Sequence, residues 1–294
     1  MAGRIGLILQ SEGMGDCLFA IPVIRKLRQI EAPDTVFDLF SHHPDLFRAC
    51  PYVAGNHRLD EGAVAIYAAN NRIARLFDLQ ALPHWAMNTC DFISIPLGIG
   101  QLTLEEKQLE YFPVEQDCAS HFDVVLNTSM TWPSRTWVQE NWQRLADSLV
   151  ARGLSVAVVG KDVRSASDEM EKRSPALAGC VDLVGQLSLD QTRFTIAHAG
   201  LFVSCQNGLA VLAGTTETEC VILDKSVEWS RHAVIRHESP LYRATYVKGL
   251  CRDYCGVIDR CPKPENRGAF LCIPSFERVE AAVLQRLRAS GRLP

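Results

Sequence analysis

Short apolar runs recur along the chain as RIGLILQ, TVFDLFS, GAVAIY, FDVVLN, LSVAVVG, GLFVSC and ECVILD, and stretches with apolar residues at helical spacing separate most of them. Such runs, bounded by turn-forming residues, read as strands. Their alternation with amphipathic helices predicts a mostly parallel sheet with crossover helices, the α/β class. The rhythm breaks between about Pro96 and Ser120, where the polar stretch LTLEEKQLEYFPVEQDCAS divides two groups of strands and Pro113 opposes a continuous helix. A domain junction is expected there, giving two Rossmann-like halves over residues 1–118 and 119–294.

The second half reads more clearly. Strands are expected at Phe122–Asn127, Leu154–Gly160, Leu201–Ser204 and Glu219–Leu223, with helices from about Gln139 to Arg152 and from about Ser188 to His198. Near the C-terminus PSFERVEAAVLQRLR places Ser275 as an N-cap ahead of Val279, Ala282, Val283 and Leu287 at helical spacing, predicting a closing helix over 275–289.

Composition narrows the class of function. The 294 residues are 47% hydrophobic, enough for one large or two modest cores. A net charge of −4, spread through the chain, supplies no overall basic field, so nucleic acid and anionic membrane surfaces are not favoured partners. No N-terminal stretch has the length and flanks of a signal peptide, and no run approaches the roughly 20 apolar residues of a membrane span. A cytoplasmic protein without a membrane span is expected.

Three connections carry candidate chemistry. The first, GMGDCLFAIP, follows the opening strand and leads into a helix, and in α/β folds ligands bind at the carboxyl ends of strands. Gly13, Met14 and Gly15 form the turn and Asp16 sets an acid there, either facing a ligand or capping the helix. The second, TSMTWPSRTWVQENW, offers the hydroxyls of Thr128 and Ser129 at a strand end and the planar donor fork of Arg135, a set that suits a phosphate. The bland alternative makes Trp137 and Trp142 core anchors and Arg135 a solvated residue. In the third, QNGLAVLAG, the turn after Gln206 leads into a small-residue helix, and Asn207, Gly208 and Leu209 can aim backbone N–H groups at an anion, although glycine turns of this kind also serve as plain connections.

Taken together, these stretches resemble glycosyltransferase family 9, the heptosyltransferase family of the GT-B fold. Its N-terminal G-x-G-D-x-x-x-x-x-P segment is matched by GMGDCLFAIP, its basic residue and tryptophan ahead of W-x-x-L-A-x-x-L by RTWVQENWQRLADSL, and its G-x-x-S-L turn by GQLSL, in that order. The resemblance implies two Rossmann-like domains facing each other across a cleft, the first holding the acceptor and the second a nucleotide diphosphate sugar. It implies inverting transfer to an acceptor hydroxyl, with Asp16 as the base and no catalytic metal. Thr128, Ser129, Arg135 and the backbone after Gln206 would then steady the leaving diphosphate, the backbone around Leu187 would meet the nucleobase, and Asp162 or Glu169 would meet the ribose. The acceptor stays open among a glycan, a lipid-linked sugar, a protein and a modified nucleobase.

The chain also departs from that pattern. Where the family commonly has D-[ST]-G-P-x-H, this sequence has QNGLAV, so Gln206 replaces an acid and Val211 a histidine. This departure suggests one rival reading, a catalytically silent protein that binds nucleotide sugars; another GT-B enzyme, such as a nucleotide-sugar epimerase, is the second rival.

Eleven cysteines are many for a reducing compartment. Cys251, Cys255, Cys261 and Cys272 fall in one segment rich in Pro, Gly and charge, with a spacing used by structural zinc sites, and a closed set of four thiolates would hold zinc or iron structurally. Two disulfides or four unliganded thiols are the alternatives. Cys17, Cys205 and Cys220 lie in apolar contexts and read as core fillers.

Overall fold

The computed structural model describes residues 3–76, 87–115, 121–129, 133–164, 171–172, 174–224, 244–251, 260–267 and 269–294. They fall into two compact units, the first running to Val114 and the second beginning at Glu115.

The first unit is built on strand β1 (Arg4–Leu9), helix α1 (Met14–Ile30), strands β2 (Val36–Ser41) and β3 (Gly55–Arg58), helix α2 (Glu61–Ala68), strand β4 (Arg72–Leu76) and helix α3 (Thr89–Ser94). Its four strands are all parallel, in the order β3-β2-β1-β4, with Leu9 level with Ser41 on one side and Leu76 on the other. β1 is the centre. Ile5, Leu7, Ile8 and Leu9 are all buried, the near-continuous apolar run expected of a strand covered on both faces. Helix α1 buries Cys17 through Ile24 and Leu27, with Pro22 inside it.

The run GAVAIY corrects the sequence reading, because it is helix α2 and not a strand. Asp60 caps it, accepting from Ala63 N at 2.8 Å, and its alanines favour a helix over a strand. The Tyr67 ring rests over Gly6, where a Cβ would stand 2.8 Å from a ring carbon, and its hydroxyl donates to the buried Asp38 at 2.7 Å. Strands β3 and β4 escaped the sequence reading because GNHR and RIARL are edge strands that bury little and interleave apolar with charged residues. The polar stretch after Pro96 is no bare linker. Leu102, Leu109 and Tyr111 are buried, and Lys107 pairs with the buried Asp91 at 2.6 Å.

The second unit contains β5 (Val124–Asn127), α4 (Gln139–Val150), β6 (Val156–Val159), the short antiparallel pair β7 (Val163–Arg164) and β8 (Glu171–Lys172), β9 (Val181–Asp182), α5 (Leu189–Ala197), β10 (Leu201–Cys205), α6 (Gly208–Ala213), β11 (Cys220–Leu223), β12 (Ala244–Val247) and α7 (Phe276–Ala289). Six parallel strands form one sheet in the order β12-β11-β10-β5-β6-β9. Leu145 and Leu149 of α4 pack with Val279, Val283 and Leu287 of α7 in one core cluster, and Ile196 of α5 with Ala210 and Ala213 of α6 in another. Register levels the strand ends, with Asn127 opposite both Ser204 and Val159, and Cys205 opposite Leu223. The connections that leave these ends are therefore neighbours. Among the described residues no helix is long and apolar enough to cross a membrane.

Candidate functional site

In the first unit the β1–α1 connection decides what Asp16 does. The N-cap of α1 is Gly13 and makes no side-chain cap, so Met14 and Gly15 are the first helical residues and Asp16 stands in the first turn. Asp16 is therefore not the N-cap residue, although an acid in the first turn still suits the helix dipole. The half-buried Asp16 accepts from Ser11 Oγ at 2.7 Å through Oδ2, and the same hydroxyl accepts from Gly13 N at 3.0 Å. A side chain at Gly13 would crowd that carboxylate, its Cβ standing 2.7 Å from Oδ2. His43 Nε2 and Glu12 O, 2.7 Å apart, tie the turn to the segment after β2. Burial, and after it the Asp16 charge, push the Cys17 thiol far above its ordinary range, so Cys17 is a neutral core residue and no nucleophile. A groove of about 230 Å³ flanked by Arg25, Lys26 and Glu106 lies along the other half of α1 and is bridged by the Lys26–Glu106 pair at 2.5 Å.

In the second unit the residues named from sequence separate into two kinds. Thr128 has no exposed surface and its hydroxyl donates to Pro175 O at 3.0 Å, which binds the loop to the fold. Ser129 is half-buried, its hydroxyl 2.8 Å from that of Ser174 and its N–H given to Asn127 Oδ1 at 3.1 Å. Arg135 ends a single 3-10 turn, Pro133–Arg135, and is partly buried. Trp137 and Trp142 are core anchors. Their rings meet edge to face with centroids 4.8 Å apart, and Trp137 Nε1 donates to Pro274 O at 3.0 Å.

The GQLSL turn is held by its glycine. Gly185 adopts φ +68°, a conformation that glycine reaches without penalty, and donates to Gly160 O at 2.9 Å. Leu187 rests partly against the core, and Ser188 caps α5 in a capping box with Gln191. Asp162 is exposed, with Oδ1 accepting from Ser174 N at 2.7 Å, while Glu169 lies outside the described residues.

At the third connection Asn207 caps α6, its Oδ1 accepting from Leu209 N at 3.0 Å, Ala210 N at 3.2 Å and Asn127 Nδ2 at 3.0 Å. Gln206 is 3% exposed, and its Nε2 donates to Asp224 Oδ1 at 2.8 Å. Lys248 Nζ stands 3.6 Å from the other oxygen of Asp224. Sequence reasoning missed Ser11, Asn127, Asp224 and Lys248. For Asp224 a signal existed, since an acid ends the apolar run ECVILD much as Asp16 follows β1. Lys248 had none, because the strand before it had not been read.

The cysteine segment is only partly described. Backbone bonds from Gly249 N to Cys272 O at 3.1 Å and from Cys251 N to Leu271 O at 3.0 Å bring Cys251 and Cys272 alongside each other, and Asn266 Nδ2 donates to Cys261 Sγ at 3.3 Å. Cys255 lies outside the described residues. No disulfide joins the described cysteines, and among the described residues no three His, Cys, Asp or Glu side chains gather as a metal site. Cys17, Cys205 and Cys220 are buried in the cores.

Comparison with known proteins follows the same line. The chain is similar in structure to a glycosyl transferase family 9 protein from Veillonella parvula, at 13% identity and a TM-score of 0.67 over 98% of both chains. It is similar to the iron-containing dodecameric glycosyltransferase TibC of enterotoxigenic E. coli, at 16% identity and a TM-score of 0.69 over 99% of this chain and 77% of that one. For the E. coli ADP-heptose LPS heptosyltransferase II the identity is 15% and the TM-score 0.67, over 99% of this chain and 100% of the other. At such identities the likeness carries the fold, which is of the GT-B class. No curated protein sequence matches. The model of glycosyltransferase family 9 (heptosyltransferase) matches residues 59–223, a stretch that holds Ser129, Arg135, the GQLSL turn and Gln206. With more than half of its length matched, this chain belongs to glycosyltransferase family 9, and its enzyme class is glycosyltransferase.

Proposed function

We propose that the protein is an inverting glycosyltransferase that moves a sugar from a nucleotide diphosphate sugar to an acceptor hydroxyl, with Asp16 as general base. One observation carries this reading: Asp16 stands just beyond the carboxyl end of an inner strand of the first unit, its carboxylate held by Ser11. In the proposed step the acceptor O–H gives its proton to Asp16 as its oxygen attacks the anomeric carbon. The bond from that carbon to the diphosphate oxygen breaks, and the nucleoside diphosphate departs from the opposite face. Charge growing on the leaving diphosphate would be met by the Arg135 guanidinium, the Ser129 hydroxyl and backbone N–H groups at Asn207 and Gly208, preorganised donors of the kind that stabilise transition states without a metal. Thr128 supports the loop. The backbone at Leu187 would receive the nucleobase, and Asp162 or Glu169 the ribose.

The first unit is assigned to the acceptor and the second to the donor. A TibC structure holds ADP-D-beta-D-heptose, which makes ADP-heptose the first donor to try. Four thiolates from Cys251, Cys255, Cys261 and Cys272 suit zinc or iron by their softness, and the metal would steady the segment ahead of α7 without entering the reaction. The replacement of an acid by Gln206 favours, as the second reading, a protein that binds nucleotide sugars without turnover.

The test pairs turnover with binding. Asp16→Asn removes the base without adding bulk, so transfer should fall by about two orders of magnitude or more while donor affinity holds. Equal turnover in wild type and variant removes Asp16 from the reaction, and a wild type that binds donor but consumes none against any acceptor supports the silent reading.

A further inference from the structure

The base proposed above rides on a connection with little of its own to hold it. Between the end of β1 and the start of α1 lie Gln10, Ser11, Glu12 and Gly13, of which Ser11 is half-buried and the other three are exposed. Gly13 has no side chain to pack and the widest backbone freedom of any residue. The bonds that Ser11 makes to Asp16 Oδ2 and to Gly13 N join parts of this connection to one another and not to the rest of the unit.

The bond between His43 and Glu12 comes from outside. β1 and β2 are parallel with Leu9 level with Ser41, and His43 lies two residues beyond Ser41 just as Ser11 lies two beyond Leu9. Register thus brings the two connections side by side. His43 Nε2 stands 2.7 Å from Glu12 O, and because a carbonyl oxygen has no proton to give, Nε2 carries the proton and donates. His43 is itself well anchored. It is the N-cap residue of a 3-10 turn, Pro44–Phe47, in which Leu46 N donates to His43 O at 3.1 Å and both Leu46 and Phe47 are buried. Pro44 O accepts from Asn56 Nδ2 of β3. The imidazole therefore ties an exposed turn to a segment that the core and a further strand hold in place.

We propose that His43 is a positioning residue for the transfer: through the Glu12 carbonyl it sets the turn that carries Ser11, and with it the direction of the Asp16 carboxylate, without touching the reacting atoms. This rests on the transferase reading above. A displacement of 1 Å in a reacting geometry can cost about 100-fold in rate, so a tie of this kind matters more to turnover than to stability. Its loss should slow the chemical step and leave alone the affinity for the nucleoside diphosphate, which is assigned to the second unit.

Hydrogen exchange of the full chain reads the turn directly. In His43→Ala, amides in peptides spanning residues 10–17 should exchange about tenfold faster, with those of β1, β2 and the Pro44–Phe47 turn unchanged and Tm within about 2 °C of wild type. His43→Gln sets an amide N–H near the place of Nε2 and should restore slow exchange, whereas His43→Asn sets one near Nδ1 and should not. Turnover should follow the same order. Diphosphate release is measured from ADP-heptose, ADP-glucose, UDP-glucose and GDP-mannose, with water and with candidate acceptors offered in turn. For the donor that wild type cleaves, kcat should fall about tenfold in His43→Ala and His43→Asn and recover in His43→Gln, with the Kd of its diphosphate within about twofold throughout. Should His43→Ala fail to fold, the Gln and Asn variants decide between them. A purely structural role would raise exchange across the first unit, lower Tm and treat Gln and Asn alike, and that pattern overturns the inference. Unchanged exchange over residues 10–17, or faster exchange there with full kcat, overturns it alone. A wild type that cleaves none of the four donors with any acceptor offered overturns the transferase reading and takes this inference with it.

Discussion

Ser11 donates its hydroxyl proton to Asp16 Oδ2 at 2.7 Å while accepting from Gly13 N at 3.0 Å, so one side chain fixes both the turn and the carboxylate. If Asp16 is the base, its orientation depends on this bond. Ser11→Ala should lower turnover about tenfold, the worth of one well-placed hydrogen bond, with donor affinity unchanged. Ser11→Thr keeps the hydroxyl and should restore most of the rate. Steady-state kinetics separates the cases, and an alanine variant as fast as wild type would show that the carboxylate needs no such support.

Arg135 ends a 3-10 turn two residues ahead of Trp137, whose ring stacks on Phe276 and whose Nε1 donates to Pro274 O at 3.0 Å. A planar guanidinium fork loses little freedom for each hydrogen bond it forms to a phosphate. Arg135→Ala should weaken nucleoside diphosphate binding about tenfold or more while leaving the bare nucleoside within about twofold, as measured by calorimetry. Equal losses for both ligands would place Arg135 away from the phosphates.

How much of this was legible in the sequence follows from where side chains find their partners. Strands β5, β6, β10 and β11 of the second unit are buried along their whole length, and that burial is written in their apolar residues. Helix α2 misread as a strand because GAVAIY is apolar throughout, although none of its residues is buried. Its cap at Asp60 was the overlooked signal. For the candidate site, glycine turns at strand ends single out connections, yet not the work of each side chain. Thr128 and Ser129 are adjacent and chemically alike, but only the fold sends one hydroxyl to Pro175 and the other to Ser174. The Gln206–Asp224–Lys248 chain joins the ends of three strands and has no local pattern to betray it.

Gly160 holds two connections together. Its φ of +150° is one that L side chains rarely adopt, and a Cβ there would stand 2.5 Å from Ser174 Oγ and 2.8 Å from Ser129 Oγ. Gly160→Ala should therefore cost about 1–3 kcal/mol of stability and part the Ser129–Ser174 pair. The denaturation midpoint should fall with an unchanged slope, and nucleoside diphosphate affinity should fall with it because Ser129 is displaced. Loss of stability with full diphosphate affinity would confine Gly160 to the fold and remove Ser129 from the phosphate site.

The cysteines offer a chemical contrast that tests the metal. Burial pushes the thiols of Cys50 and Cys180 up to about 11 and those of Cys17 and Cys90 further still, so at pH 8 all four remain protonated and should react slowly with iodoacetamide. Cys251 and Cys261 are partly exposed and should be the first of the described thiols to react, unless a metal holds them. Protein purified without chelators or affinity nickel should then carry close to one equivalent of zinc or iron, and alkylation of Cys251 and Cys261, followed by mass spectrometry, should accelerate when a chelator removes it. Cys255→Ser should give the same acceleration without chelator. Absent metal, with alkylation rates indifferent to chelator, would leave these residues as packing for the segment ahead of α7. The backbone bonds of Gly249 and Cys251 to Cys272 and Leu271 would then be what holds that segment, and the proposed transfer chemistry, which uses no sulfur, would be unaffected.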